Sequence, residues 1–433
     1  MTPATPPNRF ARTLRLAFRV LALLLLSVFA GGALHGYSVL THEEIVDLVW
    51  TDELRPLLLQ RYPGLTAEQL VEAHAYAYGG AVIQDLGYYP FGDLDFSLLL
   101  HYVRSGDFVV ELCRASQDVN EYAFALGALS HYVSDYVGHP VVNHAVALQY
   151  PKLMAKFGDP ITFAQAKTAH LRIELGFDMV QVAKNRYASE QYHAFIGFKV
   201  SKPLLERVFP VIYGMELKDV LTRGDLAIGS YRFFVSLVIP KLIKVALKAH
   251  PKDTMKEAKT PAKQLFLYRL SRSEYDREWG KDFQRPGVAI RLLAFVLQFA
   301  PKIGPFRAMA FNNPTPETEE LYFKSINATV DQYRIHLHEL KAGHLLAVNC
   351  NLDDGHPAEA GSYTLADGIY AKLMAWLSAK GFQGASPALR QDLLRFYARA
   401  QLPDGTRAQE RRWRATQAAL TQLQTLPEAP VAP

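Results

Sequence analysis

The sequence predicts an all-α fold. Long stretches repeat apolar residues at helical spacing, and strand-like alternation is rare. The composition is globular, with 49% apolar and 21% charged residues over 433 positions. No repeat of fixed period stands out. The length allows two or three domains of about 100–200 residues, or one large one. Two cysteines, Cys113 and Cys350, exclude a disulfide framework and any Cys-rich zinc module. A net charge of +5, with no clustered basic stripe, gives no argument for a nucleic-acid partner.

Taken in order, the chain opens with Arg9, Arg12, Arg15 and Arg19, then an apolar run over 20–30, then Gly31, Gly32 and Ala33. The run is shorter than the roughly 20 residues a membrane span needs. Basic at its front and small at its back, it has the shape of a secretory signal, with cleavage after Ala33. An uncleaved anchor over 14–34 is the other reading. Either way the protein is expected outside the cytoplasm, periplasmic or secreted, or held at a membrane by this segment. A helix is predicted over 41–50, with Ile45, Leu48 and Val49 on one face and Glu43, Glu44 and Asp47 near its start, where they suit the helix dipole. A buried, small-residue helix follows over 123–137. Further helices are predicted over 163–182, 204–212, 233–249 (interrupted by Pro240), 288–299, 316–340, 364–379, 387–401 and 406–426, before a Pro-rich tail. The charged stretch 252–263 reads as a boundary between residues 34–250 and a helical region 251–433, or as a surface loop inside one domain.

The chemistry is concentrated early. Of 14 histidines, 8 fall between His35 and His170. His131, Asp135 and His139 stand at i, i+4 and i+8, so each returns to one helix face about 6 Å further along. Chance gives roughly 0.02 such triplets in a chain of this composition. Satisfied core polar residues are one account of the stripe. A bound cation is the other, because a buried carboxylate between two imidazoles needs a partner. Pro140 disfavours helical geometry at the residue before it, so the helix is expected to be able to end at His139, with His144 as a substitute ligand. His170 and Glu174 repeat the four-residue step on the next long helix, and His42, Asp85 and His101 are further candidates upstream.

In this order the residues resemble the zinc-dependent phospholipase C family, which includes the bacterial lecithinase-type enzymes and the N-terminal domain of glycosylphosphatidylinositol-specific phospholipase D. The resemblance covers roughly residues 37–178. It rests on an aromatic Tyr37 followed by His42, Asp85, His101, His131, Asp135, His139, His170 and Glu174. It implies two or three zinc ions. Asp85, His101, His131 and Asp135 would hold one, and His139, His170 and Glu174 a second. His42 with a shared oxygen of Asp135 would hold a third, which the family completes with its mature N-terminal residue, usually Trp. This chain departs there, with Tyr37 at the matching place, Leu34 first after the expected cleavage, and His35 as another donor. The short step from Asp135 to His139 is closer to the phospholipase D branch.

The resemblance also implies the reaction, attack of water on the headgroup phosphodiester of a phospholipid, with the membrane surface as partner. Zinc lowers the pKa of bound water from 15.7 to about 7, which makes hydroxide available at neutral pH. Asp85 is the expected general base. Ligands without thiolate suit zinc, and manganese or iron also bind such sets. Two other functions compete: a single-strand nuclease of the related helical zinc class, against which the lack of a basic groove counts, and a non-enzymatic, metal-stabilised envelope protein. Beyond residue 200 the chemistry thins. His336, His338 and His344 read as a solvated helix face, and Asp353, Asp354 and His356 as a turn. The helices over 233–249, with Lys241, Lys244 and Lys248, and over 288–299, with Arg291, read as core or as interfacial helices.

Overall fold

A computed structural model of the chain describes residues 39–183, 198–233, 235, 313–400 and 407–427. Among the described residues there are fifteen α-helices and no strand. They run α1 (Val39–Val49), α2 (Arg55–Arg61), α3 (Ala67–Ala81), α4 (Leu94–Tyr102), α5 (Ser105–Ala115), α6 (Val119–Gln149), α7 (Pro151–Phe157) and α8 (Phe163–Ala183). After these come α9 (Lys202–Tyr213), α10 (Leu217–Val220), α11 (Gly224–Phe233), α12 (Pro316–Lys341), α13 (Thr364–Ala379), α14 (Pro387–Phe396) and α15 (Arg407–Gln424). A π-helical turn, Trp50–Leu54, follows α1, and a 3-10 helix, Ile83–Tyr88, follows α3. The described helices include those expected from periodicity in these regions, with α14 ending five residues early. The expected signal segment, Tyr37, His35, the stretch 252–263 and the helix over 288–299 lie outside the described residues, as does nearly all of the helix over 233–249.

Small residues build the centre. The sequences of α3 and α6 each bring a glycine to their contact. A Cβ on Gly127 would fall 1.9 Å from the Ala77 carbonyl oxygen, and one on Gly80 would fall 2.0 Å from that of Phe124. Only glycine permits the two backbones to lie so close. The ends of both helices are written locally. Thr66 and Gln69 form a reciprocal capping box at the start of α3, and the Asp118 carboxylate accepts from the Asn120 and Glu121 N–H groups at the start of α6.

The possible stop at His139 does not occur: α6 runs through Pro140 to Gln149. Proline removes the N–H that would bond the carbonyl four residues back, at Tyr136. Gly355 packs against that carbonyl, and a Cβ there would sit 2.9 Å from it. The 31 residues of α6 therefore form one continuous rod on which His131, Asp135 and His139 share a face.

Residues far along the chain close over this rod. Tyr322, Ile326, Val330, Tyr333 and Leu337 recur at helical spacing on α12 and are all buried. Each such side chain contributes roughly 1.5–3 kcal/mol relative to exposure. The Tyr333 hydroxyl donates to the Leu126 carbonyl of α6 (2.8 Å). One buried apolar cluster runs from Val39 to Leu423, so the His-rich and His-poor parts of the chain share a core. This packing encloses α1 on all sides and buries Glu43, Glu44 and Asp47, the acids expected near the helix start. The helix begins earlier than expected, at Val39, where Asp178 of α8 accepts from the Leu40 N–H (3.1 Å) and the Thr41 hydroxyl (2.7 Å). No described helix is long and apolar enough to cross a membrane.

Candidate metal centre

Asp135 stands at the middle of α6 with both oxygens buried and without a hydrogen-bond donor. Four imidazoles surround it. Its Oδ2 lies 3.0 Å from His131 Nε2 and 3.3 Å from His101 Nε2. Its Oδ1 lies 3.5 Å from His42 Nε2 and 3.6 Å from His139 Nε2. Tetrahedral ligands at 2.0–2.2 Å from zinc are about 3.4 Å from each other, so the spacing is that of a ligand set rather than of tight hydrogen bonds. Asp85, on the 3-10 helix, places Oδ1 3.5 Å from His101 Nε2. The donor atoms of His42, His131 and Asp135, and those of Asp85, His101 and His131, each lie within 4.8 Å of one another. His131 is common to both sets, and its ring stacks on that of His42 at 4.3 Å.

Backbone carbonyls orient three of these rings by occupying one nitrogen. His131 Nδ1 donates to the Ala81 carbonyl (2.9 Å), one of the carbonyls that the end of α3 leaves without a helical partner. His101 Nδ1 donates to Ser97 one turn back (2.7 Å), and His170 Nε2 donates to Ile161 (2.7 Å). His139 Nδ1 lies 3.1 Å from Asp353 Oδ1. A ring that donates from one nitrogen presents a lone pair on the other, which is the arrangement a metal ligand needs. On α8, His170 Nδ1 is 3.7 Å from Glu174 Oε1, and neither that nitrogen nor the two Glu174 oxygens has a hydrogen-bond partner.

All eight candidates, His42, Asp85, His101, His131, Asp135, His139, His170 and Glu174, are buried, none more than 2% exposed. His144 is not among them. Five residues beyond His139 it lies about 140° further round the helix, half exposed, and bonds Asp159 (2.6 Å). Burial works against charge throughout the cluster, and the neighbours decide the outcome. Asp135 is held well below the usual carboxylate range, because His131, His139 and His101 outweigh its desolvation. His101, also opposed by burial, is pushed up to about 10 by Asp135 and Asp85. Burial raises Asp85 and Glu174, lowers His42, and brings His170 down to about 4. A carboxylate kept ionised yet without hydrogen bonds, beside imidazoles aimed at it, fits a cation.

Residues that sequence reasoning missed lie close by. Asp353 is fully buried, and both Tyr102 and Tyr363 donate to its Oδ2. Its segment does form the expected turn, but no local pattern announces that the turn is buried against His139. His336 is also buried, on Glu339, where a solvated face is expected, while His338 and His344 are exposed as the periodicity implies. A second polar group, Asp47 with His74 (3.0 Å) and Tyr78 (2.6 Å), ties α1 to α3.

An all-helical fold around a buried cluster of imidazoles and carboxylates defines the class: a helical protein with a metal-type centre. Residues 41–222 match the model of the zinc-dependent phospholipase C family. That family is one of zinc-dependent hydrolases acting on phospholipid phosphodiesters. No curated protein and no solved structure matches the chain.

Proposed function

We propose that the protein is a phospholipase C-like phosphodiesterase whose zinc ligands are His42, Asp85, His101, His131, Asp135, His139, His170 and Glu174, holding two or three ions. The observation that carries this reading is Asp135, each of whose oxygens faces two imidazoles at 3.0–3.6 Å. A carboxylate so placed serves two metal positions at once. Asp85, Asp135, His101 and His131 form one end of the cluster, His42 adjoins the other oxygen of Asp135, and His139, His170 and Glu174 supply the remaining donors. Bound zinc supplies a water of lowered pKa and positive charge for the phosphoryl oxygens.

Asp85 Oδ1 accepts the proton of the attacking water. Burial raises its pKa above the usual carboxylate value, which brings it nearer to a base suited to neutral pH. The apolar walls around the cluster exclude bulk water and strengthen each electrostatic contact. The basic, apolar and small-residue order of the first 33 residues supports export, which brings the site to lipid outside the cytoplasm.

Vesicles of phosphatidylcholine, phosphatidylethanolamine and phosphatidylinositol, and single-stranded DNA in parallel, test the reading. With zinc, the protein is expected to release phosphorylated headgroup from at least one vesicle type, and a chelator is expected to stop it. Cleavage of DNA alone would assign the centre to a nuclease instead. Inactivity on every substrate with zinc fully loaded would favour the metal-stabilised, non-enzymatic reading.

A further inference from the structure

Three of the site imidazoles are oriented by backbone carbonyls: His101 by Ser97, His131 by Ala81 and His170 by Ile161. His139 has a carboxylate in that place. Asp353 Oδ1 lies 3.1 Å from His139 Nδ1, across 214 residues of chain, while His139 Nε2 faces Asp135. We propose that Asp353 is the positioning residue of His139, receiving its Nδ1 proton and leaving Nε2 as the metal-facing nitrogen. The inference rests on the zinc reading of the cluster and extends it to a residue outside 41–222.

The surroundings of Asp353 are built for one orientation. Tyr102 (2.6 Å) and Tyr363 both donate to Oδ2, and Oδ1 is the oxygen beside the imidazole. Asn143, one turn beyond His139 on the same helix, donates from Nδ2 to the Asp353 carbonyl (2.8 Å). The Asp353 N–H donates to Asn351 Oδ1 (2.9 Å), and the Leu352 N–H donates to the His101 carbonyl (3.1 Å). The turn is thus tied to α6 and to α4, the helices that carry His139 and His101. A carboxylate behind a ligating imidazole fixes its tautomer and makes the ring a stronger donor to the metal, an effect of 10–100-fold in metal affinity.

The test compares full-length wild type with D353N and Y363F, each stripped of metal and titrated with zinc against a chromophoric chelator. Circular dichroism and the metal-free melting temperature are recorded beside it. Wild type is expected to bind zinc, and D353N to weaken one zinc by about 10–100-fold with unchanged helix content. Wild-type zinc affinity in D353N overturns the inference, and does so also if its metal-free melting temperature falls, since that is the signature of a merely structural residue. Should D353N fail to fold, Y363F decides: it keeps the carboxylate but removes one of the two hydroxyls that hold Oδ2, so weakened zinc binding supports positioning and unchanged binding overturns it. Failure of wild type itself to bind zinc would take down the metal reading and this inference together.

Discussion

Asp135 concentrates the chemistry of the molecule in one side chain. Replacing it with asparagine keeps the shape but removes the charge and one acceptor oxygen. D135N is therefore expected to lose activity and to lose more zinc than H42A, which removes a ring from one side of the carboxylate only. Elemental analysis of the purified variants reads this out: equal loss would sink the bridging role, and full retention by D135N would sink the site. His101 sets the pH dependence. Without metal its pKa is pushed up to about 10, so at neutral pH it carries a proton that zinc must displace. Zinc affinity is expected to rise with pH by up to about tenfold per unit for that proton, a slope that calorimetry in buffers of different ionisation enthalpy measures as proton release. His170, brought down to about 4, is already neutral and contributes no such release at pH 7. The same shift at His101 stabilises the metal-free fold fully below its unfolded pKa of about 6.5, a contribution lost as the pH rises through about 10.

At the scale of the element, the contact between α3 and α6 governs the site, because Ala81 at the end of one orients His131 on the other. G127A would drive a Cβ to 1.9 Å from the Ala77 carbonyl oxygen, where backbone and not a flexible side chain has to yield. It is expected to destabilise the protein by about 3 kcal/mol and to weaken zinc binding as the helices separate. Gly368 on α13 provides the contrast: nothing lies within 4 Å of its missing Cβ. G368A is expected to stabilise the protein by up to about 1 kcal/mol, through helix propensity alone. Denaturant midpoints of the two variants decide the matter, and a G127A as stable as wild type would show that the close approach is not needed.

At the scale of the whole molecule, metal and fold are linked. The cluster joins α1, α4 and α6 with the 3-10 helix, and the turn bearing Asp353 meets it from more than 200 positions away. Removing a ligand that binds only the folded state lowers stability by mass action, about 4 kcal/mol when the ligand stands at a thousand times its Kd. Chelation is expected to lower the melting temperature by several degrees or more, and added zinc to restore it. A melting temperature indifferent to chelator would mean that the cluster holds no tightly bound ion.

The sequence by itself determined the helical class and the stripe on α6, because both are local. Apolar residues at a period of 3.6 and ligands four apart are set by the geometry of one helix, whatever packs around it. The order of His42, Asp85, His101, His131, Asp135, His139, His170 and Glu174 likewise carried the family resemblance without any structure. Other features depended on distant parts of the chain meeting. The helix continues past Pro140, and Gly355 of a distant turn lies against the Tyr136 carbonyl that proline leaves without its N–H. Helix α1 buries its acids because α12 and α8 close around it, and His144 drops out because the intact helix turns it away from the cluster. Asp353 reads as an ordinary turn residue, and only the folded chain brings it to His139. A turn signal reports backbone conformation, whereas burial of its carboxylate depends on which helices enclose it, and only tertiary packing decides that.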